Sequence, residues 1–223
     1  MVFAMGAQSR LLTSLASGSG KAPAVVVCAV MLLAGCGGSG ESATDASTPV
    51  IRGDVAATTS YAIGSTGPGG GVVFYVSTSG FASDGSACGT SCHYLEVSRT
   101  DLAMSAWCST ISSLAGTTGT RIGTGFSNTR NMISGGCTSG AGVAARAFSG
   151  GGLSDWFLPS EDELKALQAV RATVGGFATG AYYSSTQGGV NAWDKAKFSD
   201  LTEQLNGTVP KWSLRKARPV RAF

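Results

Sequence analysis

Six cysteines constrain this chain more than any other feature, because their positions decide what each can do. Cys28 lies inside the apolar run Ala22–Gly35, and Cys36 directly follows it. That run is 14 residues long, short of the roughly 20 needed to span a bilayer as a stable helix. The residues up to 35 carry Arg10 and Lys21 and no acidic residue. A positive lead before a short apolar stretch is the pattern of an export signal, here 1–35. Outside the cytoplasm thiols oxidise, so the remaining Cys88, Cys92, Cys108 and Cys137 read as two disulfides. Four cysteines allow three pairings, of which Cys88–Cys92 with Cys108–Cys137 is the favoured one. Zinc is the alternative, since His93 follows Cys92. Structural zinc sites prefer two close-spaced ligand pairs, and Cys108 and Cys137 lie far apart, so no metal is expected.

Leu33-Ala34-Gly35-Cys36 resembles the lipobox of bacterial lipoproteins: an apolar branched residue, two small residues, then cysteine. The resemblance implies cleavage before Cys36 and acylation of its sulfur and new amino group. A membrane partner through that anchor follows, with more than one acyl chain, because a single chain holds only marginally. Gly37 is not the aspartate that retains lipoproteins at an inner membrane. The expected location is therefore an outer membrane or cell surface, facing outside the cytoplasm.

Residues 36–60 are rich in Gly, Ser, Thr, Ala and Asp and read as a flexible tether. Residues 61–223 are long enough for one domain with its own core. Without Arg10 and Lys21 the chain keeps 14 basic against 13 acidic residues. That balance argues against a nucleic-acid partner.

Within the domain, the turn cluster Gly67–Gly71 precedes the buried-strand run Val72–Val76. Tyr94–Val97 reads as its hairpin partner, with Cys88–Cys92 pinning the tip. The Gly/Ser/Thr-rich stretch 117–152 holds two short helical pieces, near Ser127–Ser134 and Gly142–Phe148. Ser160 and Glu163 form a capping box at the head of a helix whose stripe is Leu164, Leu167 and Val170. Gly175-Gly176 stops it. Three strand-like runs follow, Tyr182–Ser185, Ala192–Phe198 and Lys216–Phe223. Short strands and a few helices outside βαβ order predict an α+β fold.

Catalytic sets are hard to assemble, so no enzyme and no cofactor is expected. His93 is the only histidine, and no nucleophile elbow accompanies it. Ser213-Leu214-Arg215-Lys216 matches a three-letter pattern of penicillin-binding enzymes without their other motifs. The Gly67–Gly71 cluster precedes a strand, whereas phosphate loops follow one, so it reads as a turn. Asp155 with Glu161–Glu163 reads as helix capping ahead of a calcium or acid/base site. From Gln204 on the chain is basic: Lys211, Arg215, Lys216, Arg218 and Arg221 with no acidic residue, and Trp212 among them. Lysine and arginine beside an indole suit sulfated or carboxylated sugars. Arg218 and Arg221 read as internally paired, which leaves Lys211, Trp212, Arg215 and Lys216 as the candidate ligand contacts.

Several stretches together resemble one family. They include Gly70–Val76, Ile122-Gly123-Thr124-Gly125 with Asn128-Thr129, and Asp155-Trp156-Phe157-Leu158-Pro159-Ser160 with Glu163-Leu164. Tyr183-Ser184-Ser185, Ala192-Trp193 with Phe198, and Arg218–Phe223 complete the set. Their order and spacing are similar to the Lcl C-terminal domain, the module ending the collagen-like adhesin of Legionella, over about Ile63 to Phe223. The resemblance implies a C-type-lectin-like fold akin to the formylglycine-generating enzymes, and non-catalytic binding of anionic or sulfated glycans. The chain has no collagen-like stalk, and no calcium-binding triplets of sugar-binding lectins. A structural envelope protein without a ligand, and an oxidase related to the formylglycine-generating enzymes, are the alternatives.

Overall fold

A computed structural model describes residues 59–223. The expected signal 1–35, Cys36 and the tether up to residue 58 lie outside the described residues. Among those described, no helix is long and apolar enough to cross a membrane.

In chain order the elements are β1 (Val72–Phe81), β2 (Cys92–Val97), β3 (Leu102–Ser105), α1 (Gly125–Ser134), α2 (Ala141–Ala147), α3 (Glu161–Ala169), α4 (Arg171–Val174), β4 (Ala181–Gln187), β5 (Lys195–Asp200), β6 (Asn206–Pro210), β7 (Arg215–Ala217) and β8 (Val220–Ala222). The fold is α+β. One sheet is three-stranded, in the order β1-β2-β8, and antiparallel throughout. The other has five strands in the order β3-β7-β4-β5-β6, with β4 and β7 parallel.

The expected hairpin forms, with Val72 opposite Val97 and a disulfide joining Cys88 to Cys92 at its far end. The second disulfide joins Cys108 to Cys137, their Cα atoms 5.3 Å apart. It closes a loop of 29 residues' separation, worth about 3.6 kcal/mol in the loop-entropy estimate, against about 2 kcal/mol for the small ring. The larger bridge ties the loop after β3 to the end of α1. There Gly and Ser give little intrinsic helicity.

Period-two alternation makes β4 the wall between two cores. Tyr182 packs with Val72, Phe74, Leu95, Phe157, Leu164, Leu167 and Val220. Tyr183 faces the other way, toward Trp107, Met132, Ala145, Leu158, Val209 and the Cys108–Cys137 bridge. Phe157 and Leu158 are split between the two cores in the same manner.

Helix α3 starts as its sequence dictates. Ser160 Oγ accepts from Glu163 N (3.3 Å), and Glu163 Oε2 accepts from Ser160 N (2.7 Å). Glu163 reaches further than a capping residue needs, because its Oε1 also accepts from Gly123 N at 2.8 Å. The carboxyl is buried, and burial pushes it up to about 7 against the pull of those backbone donors. The helix stops earlier than its apolar stripe suggests: Val170 leaves helical geometry and a further turn, α4, follows before Gly175 at φ 68°.

The last strand-like run is not one strand. β7 belongs to the five-stranded sheet and β8 to the three-stranded one, with Arg218-Pro219 between them. Pro219 has no N–H to continue a ladder, although its carbonyl still accepts from Ser98 N at 2.9 Å. Two strands also escaped expectation, β3 and β6. Ala192–Lys195 is a turn closed by Lys195 N to Ala192 O (2.9 Å) rather than the start of a strand.

Candidate binding surface

The basic tail divides at Ala217. Downstream, both arginines are buried and matched to carboxylates. Arg221 sits opposite Glu96 in the β2–β8 register. Its Nη1 lies 3.1 Å from Glu96 Oε1, and its Nε 2.5 Å from Asp155 Oδ1. Glu96 is itself held by backbone donors: Gly69 N at 2.9 Å from Oε1 and Gly71 N at 3.0 Å from Oε2. The glycine turn thus cradles an anion, but an internal one. Side chains are excluded there, because a Cβ on Gly71 would lie 2.5 Å from Val97 O.

Arg218 is matched as fully. Its Nε is 2.6 Å from Asp101 Oδ1, whose other oxygen accepts from Tyr182 OH at 2.6 Å. Its Nη1 donates to Gly175 O (3.1 Å) and its Nη2 to Gly176 O. Those carbonyls end α4, so the cation also meets the negative end of a helix. Burial and the Asp101 hydrogen bond raise the Tyr182 phenol above its ordinary value.

Upstream of Ala217 the four candidate contacts separate. Lys211 does not belong to an exposed set, which corrects the sequence reading. It is fully buried, its Nζ donating to Ser112 O and Gln187 Oε1 at 2.7 Å each. The ammonium also lies 4.8 Å from the centre of the Trp107 ring. Burial lowers Lys211 to about 8, with Asp194 acting against that shift. Its aliphatic stem explains the placement, since lysine can lie along apolar surface while its head reaches polar acceptors. Lys211 is a strut beneath the surface.

Trp212 is exposed on that strut. It lies in the turn Pro210–Ser213, closed by Ser213 N to Pro210 O (3.0 Å). Tyr183 OH pins this turn from below, donating to Ser213 O (2.8 Å) and Pro210 O (3.1 Å). Arg215 and Lys216 are half-buried. Arg215 Nη1 donates to Leu214 O at 2.8 Å. Lys216 points to the start of β4, with Nζ 2.5 Å from Thr179 O. No salt bridge among the described residues uses Lys195, Lys211, Arg215 or Lys216, whereas Arg218 and Arg221 account for three.

One residue escaped the sequence reading. Trp193, which the strand-like run Ala192–Phe198 would place in a sheet, is exposed in the turn Ala192–Lys195. Lys211 N donates to Asp194 O at 2.9 Å, so Trp193 and Trp212 each stand one residue from the same hydrogen bond. The signal was the Gly188-Gly189 pair ahead of it, which reads as a turn.

The other constellations resolve into structure. His93 Nδ1 lies 2.8 Å from Ser77 O. Asp155 pairs with Arg221, and Glu161 with Lys165 (2.9 Å) and Lys197 (3.6 Å). The four domain cysteines are joined in pairs, so they are no zinc thiolates. Among the described residues no group of three or more His, Cys, Asp or Glu is placed to hold a metal.

No known family model matches the chain, and no curated protein matches it.

Proposed function

We propose that the chain is a lipid-anchored envelope protein, held at Cys36 on an outer membrane or cell surface, whose domain binds an anionic surface polymer without chemistry. The carrying observation is the pairing asymmetry of the tail. Arg215 and Lys216 keep cationic groups without a carboxylate partner among the described residues, close in sequence to exposed Trp212. A guanidinium and an ammonium supply charge-assisted donors to sulfate or carboxylate, and an indole supplies a stacking face. The likeness of Asp155–Ser160 and Arg218–Phe223 to the Lcl C-terminal domain supports the same reading, with its C-type-lectin-like fold and sulfated glycans as ligand class.

The test is retention of the purified chain on sulfated, carboxylated and neutral polysaccharide resins at rising salt. Retention on the acidic resins, weakened by salt and reduced in Trp212→Ala and in Arg215→Ala/Lys216→Ala, is the expected result. Equal retention on neutral resin, or indifference to those substitutions, removes this surface as the site. A chain that passes every resin favours the structural-envelope alternative.

A further inference from the structure

We infer that the rim around Lys211 is a docking face for the anionic bilayer carrying the chain's own anchor, an inference that rests on lipidation of Cys36. Five of the ten large apolar side chains exposed among the described residues lie on the loops around Lys211. Val190 is 94% exposed, Leu214 58%, Trp212 57%, Ile111 49% and Trp193 46%. Loop tips are ordinarily polar, and clustered exposed apolar groups mark an interaction face.

Hydrogen bonds made by one residue gather these tips. Lys211 N holds Asp194 O, beside Trp193 and in the same loop as Val190. Lys211 Nζ holds Ser112 O, beside Ile111. Trp212 and Leu214 follow Lys211 directly.

Sugar stacking gives a use for an indole but none for Val190, Ile111 and Leu214. Hydrocarbon gives a use for all of them. Aliphatic groups gain by leaving water for acyl chains, indoles settle at the headgroup level, and cations favour an anionic leaflet. Lys195 and Arg215, neither in a salt bridge among the described residues, supply that charge; Asp194, next to Lys195, is the acidic residue of that loop. Residues 37–58 separate the anchor from the described domain. Fully extended, that length reaches at most about 75 Å, so the anchor and the rim can meet one bilayer together. Trp212 and Arg215 also serve the proposed polymer site, so docking and polymer binding exclude each other.

The experiment places the lipidated chain in vesicles of phosphatidylcholine, with or without phosphatidylglycerol, whose acyl chains carry bromine. Trp107 and Trp156 are fully buried and stay out of reach of the quencher. Quenching of tryptophan emission in the anionic vesicles is expected. It should be lost in a Val190→Asp/Leu214→Asp chain that still floats with the vesicles and unfolds at the same midpoint. A wild-type chain that floats but is not quenched overturns the docking, as does quenching that survives the double substitution. A chain that does not float refutes the anchor and the docking together. Retention on acidic resin, measured without lipid, reads the polymer site separately.

Discussion

The two halves of the basic tail have similar composition and opposite fates. Arg218 and Arg221 are buried among Asp101, Asp155, Glu96 and helix-end carbonyls, while among the described residues Arg215 and Lys216 donate hydrogen bonds only to backbone oxygens. The difference lies in what each half crosses. The stretch from Arg218 passes between the two sheets, where a charge must be matched or neutralised. Lys211–Leu214 forms the connection from β6 to β7 over the rim, where Trp212 and Leu214 meet water. A run of positive charge is therefore not one feature, and its meaning changes within a few residues.

Replacing Arg221 with alanine should do most damage. Glu96 is left buried without its cation and Asp155 without a partner, which should cost about 3–5 kcal/mol. Urea unfolding would measure it, and a loss below about 1 kcal/mol would break the contrast between the halves. Replacing Cys108 and Cys137 with serine should cost about 3–4 kcal/mol. Because this bridge packs with buried Trp107 under Lys211, acrylamide quenching of tryptophan emission should also rise as Trp107 becomes accessible.

Lys211→Met tests the strut. Ser112 O loses the Lys211 donor, and Gln187 Oε1 keeps only Leu114 N, so a cost of about 1–3 kcal/mol is expected. Lys211 titrates near 8 when folded and near 10.5 when unfolded. Between those values the unfolded chain binds more protons, so this group's contribution to stability rises with pH across that window. Thermal unfolding from pH 8 to 10 should show that rise in the wild type and a flatter curve in Lys211→Met; parallel curves would deny the lowered value. The smallest effect belongs to Arg215→Ala/Lys216→Ala, whose stability should stay within about 0.5 kcal/mol of wild type. A larger loss would make these residues structural after all.

Much of the fold is legible in the order of residues. Val72–Val76 and Tyr94–Val97 paired as expected, Ser160 and Glu163 capped α3, and the favoured cysteine pairing formed. These are signals read from residues close in sequence and from an even count of cysteines in the domain. The strands that escaped notice, β3 and β6, are the two edges of the five-stranded sheet. Asn206-Gly207 and Pro210 in β6 read as turn residues, and an edge strand tolerates them because one side needs no ladder. Of the basic tail, Arg218 and Arg221 read as internally paired and are so. The burial of Lys211 and the exposure of Trp193 were not legible, since each depends on which loops the sheet brings together.

Disulfide framework, hairpin, helix cap and α+β class were written in the order of residues, because most of these depend on neighbours a few positions apart. Which cations stay unmatched, and which indoles face water, was decided only when Asp101, Asp155 and Glu96 arrived from distant parts of the chain. Whether a buried charge is tolerable depends on the partner at its side, and chain folding alone supplies that partner.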